Sequence, residues 1–381
     1  MKLHEYEGIN IFEKAGIPVP KRTIAGTEKD LVKAAEKTGY PAMLKAQVLV
    51  GGRGLAGGIK SVDSQEELKK KADELFNMKI KGLPVKEIML TEKADIAQEI
   101  YMGITLDGYS GKPVVVVSTE GGVHIEETAK NSPDKMASLS IDPKFGFYAY
   151  QAGQLLRKAG LDFKYRAGCA NILTHLYKVF SDTEAILVEI NPLAILTNGS
   201  LMAVDSVIDI DDSAVFRVKS KLNLFPEGRI GNELERKGKE IGVTYVDLDG
   251  DIGIISSGAG LGMASMDIIG SRLKPANFLE TGGGITADLL YKCMELIMMK
   301  PLKAIFINIY GGINPIHEGA KGVVRYIQEH DLKLPIVAKA LGNHQEETWE
   351  ILKSGGVHVI TETATEKAVE HLIAVLTEKE K

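Results

Sequence analysis

The sequence LKAQVLV at positions 44–50 runs directly into GGRGLAGG at 51–58. The first part is an apolar run with one lysine, which is typical of a buried strand, and the second has five glycines in eight residues. Because glycine has no Cβ, the backbone N–H groups of such a loop can lie close to a bound anion. Lys45 and Arg53 add fixed positive charge. This stretch therefore predicts a site for the phosphates of a nucleotide.

The glycine loop is not specific evidence when it is taken alone. No Lys-Ser or Lys-Thr pair follows it, which excludes the P-loop pattern G-x-x-x-x-G-K-[ST]. An ordinary flexible hairpin is an equally good interpretation of the same composition. The assignment depends on what the rest of the chain supplies.

Length and composition narrow the class of protein. A chain of 381 residues suggests two or three domains, and 44% hydrophobic with 25% charged residues is typical of a globular protein. The net charge of −5 and the absence of a basic run that alternates with aromatics give no reason to expect a nucleic-acid partner. Any positive charge that binds phosphate must therefore be local.

Cysteine usage and hydropathy favour a cytoplasmic protein. Cys169 and Cys293 form no C-x-x-C pair, so a reducing compartment is favoured over a disulfide scaffold. The N-terminus is charged where a signal peptide would be apolar, and no segment approaches about 18 uninterrupted apolar residues. We expect no membrane span.

The first half of the chain alternates helical and strand patterns. Thr27 is a predicted N-cap for a helix over 28–38, and Ser64 opens a capping box for a helix that ends near 77. Strand-like segments at 87–91, 96–106 and 112–118 are expected to lie side by side and antiparallel.

Two strands at 188–196 and 200–207 are joined through Thr-Asn-Gly at 197–199. If Gly199 takes the left-handed position of a three-residue loop, Leu196 pairs with Ser200 and Glu189 with Val207. Glu189, Asn191 and Asp205 then share one face and offer only oxygen ligands, which suit Mg²⁺. A two-residue Asn-Gly turn would shift the register by one and move Asp205 to the other face.

From about residue 245 the pattern changes to apolar strands that alternate with helices. Such a pattern predicts a parallel, doubly wound sheet whose ligands collect at the carboxyl ends of the strands, where four glycine-bearing turns lie. G-A-G at 258–260 is not a dinucleotide fingerprint, because Met263 stands where the third glycine belongs. At a third turn, Asn314 is expected to cap a helix whose first residue is Pro315.

These motifs, in order along the whole chain, resemble the beta subunit of succinyl-CoA synthetase, an ATP-grasp protein. The matching segments include K-A-Q-V, G-G-R-G, S-T-E-G-G, E-I-N-P-L, P-A-N-F-L and N-I-Y-G-G-I. The resemblance implies an α/β protein with two parts. Residues 1–235 would form a two-lobed ATP-grasp domain with mixed helices and sheets, and residues 240–381 a flavodoxin-like CoA-ligase domain.

The resemblance also implies roles for single residues. Lys45 with the loop at Gly52, Arg53 and Gly54 would hold the nucleotide phosphates. Glu99 would contact the nucleotide, as would Thr91 and Glu92, although Thr91 occupies a place where the family has a glutamate. Asn191 and Asp205 would bind Mg²⁺. Glu189 would engage a phosphorylated histidine on a partner alpha subunit, so no histidine of this chain need be the phosphorylated one.

The family reaction joins a carboxylic acid to coenzyme A through an acyl phosphate and that phosphohistidine, while ATP or GTP is cleaved to the diphosphate. Coenzyme A is bound mainly by the alpha subunit. The resemblance thus implies Mg²⁺, a nucleoside triphosphate and coenzyme A, together with a heterodimer or heterotetramer. The turn Gly312-Ile313-Asn314 would meet the partner's histidine.

Several positions depart from the family pattern. Leu55 stands where a lysine normally follows G-G-R-G, Ser257 replaces a substrate-site asparagine, and the stretch 314–317 replaces one that usually ends Arg-Cys-Asp. Succinate is the default acid, but malate, citrate or another short acid stays open. A non-catalytic relative that binds nucleotide without turnover is the remaining alternative. His124 and His317 lie beside motifs, yet surface or packing roles are the favoured interpretation.

Overall fold

A computed structural model describes residues 1–122, 133–224, 229 and 232–379. The chain divides into two compact units, Met1–Arg229 and Ile230–Lys381. The helix Glu233–Ile241 runs through the boundary expected at 235–240 and belongs to the second unit. His124 lies outside the described residues.

The first unit contains helices and strands in mixed order. Its described helices are α1 (Glu5–Lys14), α2 (Glu28–Thr38), α3 (Gln65–Phe76), α4 (Ala149–Lys158), α5 (Phe163–Asp182) and α6 (Val215–Leu222). Its described strands are β1 (Arg22–Ala25), β2 (Ala42–Ala46), β3 (Ile59–Val62), β4 (Lys79–Ile80), β5 (Leu83–Pro84), β6 (Ile88–Glu92), β7 (Ile96–Leu106), β8 (Pro113–Ser118), β9 (Met136–Ser140), β10 (Ala185–Leu196), β11 (Leu201–Ala203) and β12 (Val207–Ile210).

A four-stranded antiparallel sheet, in the order β1-β6-β2-β3, forms one part of this unit and carries α2 and α3 on one face. The expected caps are confirmed. The Thr27 hydroxyl accepts the Asp30 N–H at 3.2 Å, and the Ser64 hydroxyl accepts the Glu67 N–H at 3.3 Å. Each cap satisfies an N–H group that the first helical turn leaves without a partner.

The second sheet of this unit has the order β11-β10-β7-β8-β9, with β12 also paired to β10. Helices α4 and α5 cover it, and their apolar faces form one core with the inward side chains of β7, β8 and β10. The expectation that 87–91 lies beside 96–106 is wrong, because β6 pairs with β1 and β2 in the other sheet. A short connection favours neighbouring strands but does not require them.

The hairpin register is confirmed on both sides of the polar cluster. The Leu196 N–H donates to Ser200 O at 2.8 Å, Gly199 has φ +83°, and Glu189 pairs with Val207. Residues 204–206 leave the strand ladder between β11 and β12, although the Val204 N–H still donates to Pro192 O at 3.1 Å. The three-residue loop therefore fixes the register, and Asp205 lies in an interruption rather than in a regular pair.

The second unit contains one sheet with helices on both faces. Its described strands are β13 (Thr244–Asp247), β14 (Ile252–Ser256), β15 (Asn277–Glu280), β16 (Ala304–Gly311), β17 (Ile336–Gly342) and β18 (His358–Ile360). Its described helices are α7 (Glu233–Ile241), α8 (Ala259–Gly270), α9 (Ala287–Ile297), α10 (Ile316–Glu329), α11 (Gln345–Ser354) and α12 (Thr365–Lys379).

The order β13-β15-β14-β16-β17-β18 is parallel except for the antiparallel edge strand β13. The five parallel strands have the flavodoxin-like order 2-1-3-4-5. Alternate residues of β16 enter separate cores: Ile305 and Ile307 pack with α9 and α10, whereas Phe306 packs with α8 and α12. Both faces are thus buried, as the continuous apolar strands predicted.

The turn after β16 differs from the expectation in one respect. Helix α10 begins at Ile316 with Pro315 in the N-cap position, and no described side chain caps it, so the prediction that Asn314 caps this helix is wrong. Farther along, the Trp349 indole N–H donates to Ala340 O at 2.6 Å and fixes α11 on β17. Among the described residues no helix is both long and apolar enough to cross a bilayer.

Candidate nucleotide site

A cavity of about 700 Å³ opens in the first unit, between the glycine loop and the β10–β12 hairpin. Ten residues that the sequence selected line it: Lys45, Gly52, Arg53, Gly54, Thr91, Glu92, Glu99, Glu189, Asn191 and Asp205. They come from both sheets and from segments more than 150 residues apart in sequence. The fold thus brings the two predicted constellations, the glycine loop and the polar hairpin, to one concave surface.

A network of buried charges forms the floor of the cavity. Glu5 of α1 has a fully buried side chain, and its two carboxylate oxygens each contact a cation at 2.8 Å, Lys45 Nζ and Arg53 Nη1. Lys45 also donates to Val204 O at 2.8 Å. Arg53 Nη2 continues the chain to Asp205 Oδ1 at 3.0 Å. Two carboxylates and two cations therefore neutralise each other.

The network changes the protonation of its members in opposite directions. Burial alone would raise the pKa of Glu5, but Lys45 and Arg53 outweigh it and hold that pKa below its usual value. Burial raises the pKa of Asp205 to about 6, and the charge of Glu5 adds to this effect, while Arg53 opposes it. Asp205 keeps 24% of its side-chain surface exposed, and it lines the cavity.

Glu189 and Asn191 lie on β10 and face the same cavity. The Asn191 amide forms two bonds with the backbone of Gly122: its oxygen accepts the N–H at 2.8 Å, and its nitrogen donates to the carbonyl at 3.1 Å. Burial raises the pKa of Glu189, while hydrogen bonds from Asn191 and Tyr101 lower it in part. Glu189 is thus a half-buried carboxyl at the cavity wall that holds a proton more strongly than a surface glutamate does.

The donor chemistry of Asn191 and Asp205 fits Mg²⁺. One amide oxygen and one carboxylate, both hard oxygen donors, border the same cavity and leave room for water and phosphate oxygens. Each already has a partner in the protein, but a carboxylate or amide oxygen has more than one lone pair and can accept a second contact. These two residues would therefore hold the ion.

The glycine loop is held by its own backbone. The N–H groups of Ala56 and Gly58 donate to Gly52 O at 3.1 Å and Arg53 O at 2.8 Å. A Cβ on Gly58 would lie 2.6 Å from Ile80 Cδ1, and Gly52 has φ +77°. Packing against Ile80 thus favours glycine at position 58, and the positive φ favours glycine at position 52. Leu55, at the tip, is 74% exposed.

Thr91 and Glu92 of β6 and Glu99 of β7 also line the cavity. Thr91 is 2% exposed, so its side chain fills the wall beside β2. Glu92 Oε1 accepts the Lys21 N–H at 2.9 Å, and Glu99 is an exposed side chain on β7. Glu99 and Glu92 are both accessible acceptors, whereas Thr91 offers little surface.

The remaining predicted residues belong to the second unit. Ser257 follows β14, and its hydroxyl accepts the Tyr310 N–H at 2.8 Å and donates to Tyr310 O at 3.2 Å. Gly312, Ile313 and Asn314 form the turn after β16, where Ile313 is 90% exposed. All four lie at the carboxyl edge of the parallel sheet. The Ser257 hydroxyl is thus bonded to the backbone of β16 both as a donor and as an acceptor.

Two carboxylates that have structural roles were not predicted from the sequence. Glu5 lies one turn before Ile9 and two before Phe12 on the buried face of α1, so an acidic residue in an apolar stripe was the available signal. Glu280 accepts the N–H groups of Gly258 at 3.1 Å and Gly282 at 2.5 Å, and it ties two glycine turns together. Its position directly before T-G-G-G was the corresponding signal.

Two family models match the chain. One, described as an ATP-grasp domain, matches residues 2–195, and one described as CoA-ligase matches residues 255–373. The known fold of ATP citrate lyase from Methanothrix soehngenii is similar, with a TM-score of 0.74 over 99% of both chains at 21% identity. That likeness concerns the fold alone.

Curated relatives match over almost the whole chain. The ADP-forming succinate–CoA ligase subunit beta of Haloarcula marismortui is 40% identical over 376 residues, 97% of this chain and 98% of the relative. The corresponding subunit of Methanocaldococcus jannaschii is 41% identical and covers 99% of this chain, and a GDP-forming one from Thermus thermophilus is 40% identical over 94%. This chain belongs to the family of succinate–CoA ligase beta subunits.

Proposed function

We propose that the first unit binds ATP with Mg²⁺ and exchanges a phosphoryl group with a histidine of a separate alpha subunit, and that the acid joined to coenzyme A is succinate. The observation that carries the proposal is the cavity of about 700 Å³, which is lined by the ten residues predicted for nucleotide, Mg²⁺ and the partner's histidine in the first unit, in a chain 40% identical over 97% of its length to an ADP-forming subunit beta. Coenzyme A would be bound mainly by the alpha subunit. The alpha and beta subunits would form a heterodimer or a heterotetramer.

Lys45 and Arg53 would neutralise the charge of the phosphoryl group as it is transferred. Such transfer depends mainly on positioning and electrostatic stabilisation. In the structure Lys45 is paired with Glu5, and Arg53 is paired with both Glu5 and Asp205. We infer that Arg53 exchanges Asp205 for a phosphate oxygen when nucleotide binds, which leaves the Asp205 carboxylate for the metal.

Asn191 and Asp205 would hold Mg²⁺, which neutralises phosphate charge when it is bound. Glu189, whose pKa burial raises, would orient the imidazole of the partner's histidine through a hydrogen bond to a ring N–H. Thr91, Glu92 and Glu99 would contact the nucleotide. Gly52 and Gly54 would let the loop backbone approach the phosphates.

The acid is the least constrained part of the proposal. Ser257 replaces the family's asparagine, and its hydroxyl is already bonded to Tyr310 N and O. Because serine is shorter than asparagine, it leaves more space for substrate, and a larger acid than succinate, such as malate or citrate, is the second candidate. In both cases Gly312, Ile313 and Asn314 would form the surface that meets the partner's histidine. Because Cys169 and Cys293 are both free and buried, we also propose a reducing, cytoplasmic setting.

The test uses the chain co-expressed with its alpha subunit. With succinate and coenzyme A present, ADP release from ATP is measured, and GTP, malate and citrate are tested in parallel. Lys45→Ala and Asp205→Ala are each expected to lower the rate by about 10²- to 10³-fold.

The matched control is Lys60→Ala, since Lys60 pairs with Glu74 away from the cavity, and its rate is expected to stay unchanged. Unaltered partner-dependent activity in both cavity variants would contradict the assignment. Tight nucleotide binding without phosphorylation of the alpha chain would favour the non-catalytic alternative, and turnover with malate or citrate but not succinate would replace the acid.

A further inference from the structure

A cluster of two histidines and one carboxylate lies at the carboxyl edge of the second unit's sheet. His317 is in the first turn of α10, His344 immediately precedes α11, and Glu347 is in the first turn of α11. One ligand atom from each residue lies within 4.8 Å of those of the other two. None of these residues lines the nucleotide cavity. His317 ends the stretch 314–317 that departs from the family pattern beside the turn assigned to the partner, whereas His344 and Glu347 carry no role assigned from the sequence.

Within the described part of the chain, the contacts of the cluster leave one buried nitrogen without a partner. The imidazole rings of His317 and His344 have centroids 4.6 Å apart, and His344 Nδ1 lies 3.3 Å from Glu347 Oε2. His317 Nε2 lies 3.2 Å from Glu318 Oε1, but its Nδ1 is buried and has no hydrogen-bond partner among the described residues. A buried polar atom without a partner costs free energy, so an additional bonding group at this position would be stabilising.

We propose that His317, His344 and Glu347 bind a divalent transition-metal ion of the zinc class. Two imidazole nitrogens and one carboxylate suit Zn²⁺, Co²⁺ or Ni²⁺, whereas Mg²⁺ prefers oxygen ligands alone. Three protein ligands leave a coordination position for water. The site is thus chemically distinct from the oxygen ligands Asn191 and Asp205.

Closure of the site requires a small movement of exposed side chains. Ligand atoms around a tetrahedral Zn²⁺ lie roughly 3.4 Å apart, given metal–ligand distances of about 2.1 Å. Because His344 and Glu347 are each 50% exposed, their side chains can close the difference of up to about 1.4 Å from the present spread of 4.8 Å without disturbing the core. The partly buried His317 would stay in place. The nearby Lys321 pairs with Glu318, at 2.6 Å.

The metal ion would link the N-terminal ends of α10 and α11, which lie beside the turn 312–314. The Asn343 N–H donates to Gly311 O at 2.7 Å, and the Asn343 amide donates to Ile313 O at 3.1 Å, so the segment before α11 already holds the turn 312–314. A metal ion bound to His317 and His344 would add a bond between α10 and that segment. The exposed turn around Ile313 would then exchange its amide protons more slowly.

The test measures metal binding to the full chain after chelator treatment, in excess Mg²⁺ so that oxygen sites are filled. Equilibrium dialysis is expected to show one tightly bound Zn²⁺ per chain, and bound Co²⁺ to show visible absorption. His344→Ala and Glu347→Gln should each weaken Zn²⁺ binding by about tenfold or more. Both residues are exposed, so folding is retained, and His317→Ala is the third variant.

Two controls separate this site from other surface groups. Glu346→Gln alters an exposed neighbouring carboxylate, and His371→Ala breaks a second histidine pair in which His371 Nε2 lies 3.4 Å from His358 Nδ1. Neither should change the affinity, and Zn²⁺ should slow hydrogen exchange over 311–317. Absence of a stoichiometric ion, retention of it in both His344→Ala and Glu347→Gln, or its loss in His371→Ala would overturn the proposal.

Discussion

Two lysines, one in each unit, are buried to nearly the same extent but differ in how their charge is compensated. Lys45 is 4% exposed and contacts Glu5 at 2.8 Å, whereas Lys339 is 6% exposed and reaches only Asn308 Oδ1, at 3.5 Å. Within the described part of the chain, no carboxylate lies within ion-pair distance of Lys339. The Glu5 carboxylate offsets most of the free-energy cost of burying the Lys45 charge, whereas the cost of burying the Lys339 charge is not offset by an ion pair.

The environment of Lys339 supports this contrast. Burial lowers the pKa of Lys339, and the charge of Glu366 opposes this effect only in part. Asn308 itself is held by Ser265, whose hydroxyl accepts the Asn308 amide at 2.8 Å. The comparison shows that burial alone does not mark a ligand-binding lysine. Lys45 differs from Lys339 because it belongs to a network of charged residues that lines an open cavity.

The largest expected effect comes from breaking the network around Lys45. Glu5→Ala removes the carboxylate that both Lys45 and Arg53 contact, and it should cost about 3–5 kcal/mol in the free energy of unfolding at neutral pH. Urea unfolding followed by circular dichroism measures it. Because the pKa of Glu5 is lowered by folding, the loss should shrink as the pH falls below the unfolded value of about 4.3, where only the unfolded chain takes up the proton, and it should be smallest below the lower pKa of the folded chain, where both states are protonated.

Glu13→Ala is the matched control for that variant. Glu13 also pairs with an arginine, at 2.7 Å from Arg22 Nη2, but its side chain is 62% exposed. The expected cost is below about 1 kcal/mol. Equal losses in the two variants would refute the distinction between a buried network and a surface pair.

Replacement of Lys339 by methionine should have the opposite sign. Lys339→Met keeps the apolar stem and removes the uncompensated charge, so we expect a gain of about 1–3 kcal/mol at pH 7. Thermal unfolding of the second unit, followed through Trp349 fluorescence, measures it. A loss of similar size would mean that the bond to Asn308 outweighs the cost of burial.

The pH dependence of this gain tests its cause. Because the pKa of Lys339 is lower in the folded chain than the unfolded value of about 10.4, the unfolded chain binds more protons between these two values. The stability of the parent protein should therefore rise relative to that of Lys339→Met, by at most about 1.4 kcal/mol per pH unit. The advantage of the variant should disappear as the pH approaches about 10.5. A gain independent of pH would point to packing instead.

The smallest expected effect concerns the hairpin that places Asp205. Gly199→Ala puts a side chain at φ +83° and should cost about 1 kcal/mol, because L-residues disfavour this region. Gly153→Ala is the control, since Gly153 lies inside α4 with open space where the new methyl group would stand, and it should gain about 0.5–1 kcal/mol. Differential scanning calorimetry separates the two signs. A neutral Gly199→Ala would contradict the three-residue loop.

Local chemistry made part of this molecule predictable. The register of the hairpin follows from loop length and one glycine, and the helix caps at Thr27 and Ser64 follow from hydroxyl groups that precede a helical pattern. The five parallel strands of the second unit follow from their continuous apolar runs. Each of these features is determined by residues that are close together in sequence.

Long-range pairing was not predictable in the same way. Glu5 meets Lys45 and Arg53 across 40 or more residues, and no local pattern states which cation an acidic residue will reach. The pairing of β6 with β1 and β2 rather than with β7 is a choice between two sheets, which periodicity does not decide. Pro315, not Asn314, precedes α10, because the fixed φ of proline fits either position.

The hydrogen bond between Trp349 and Ala340 has a practical consequence. Trp349 is the chain's sole tryptophan, and it stands five residues from His344. Its fluorescence can therefore report metal binding near α11 without any introduced probe. Nucleotide binding in the first unit would have to be followed through tyrosine fluorescence or an introduced fluorophore, because that unit has no tryptophan.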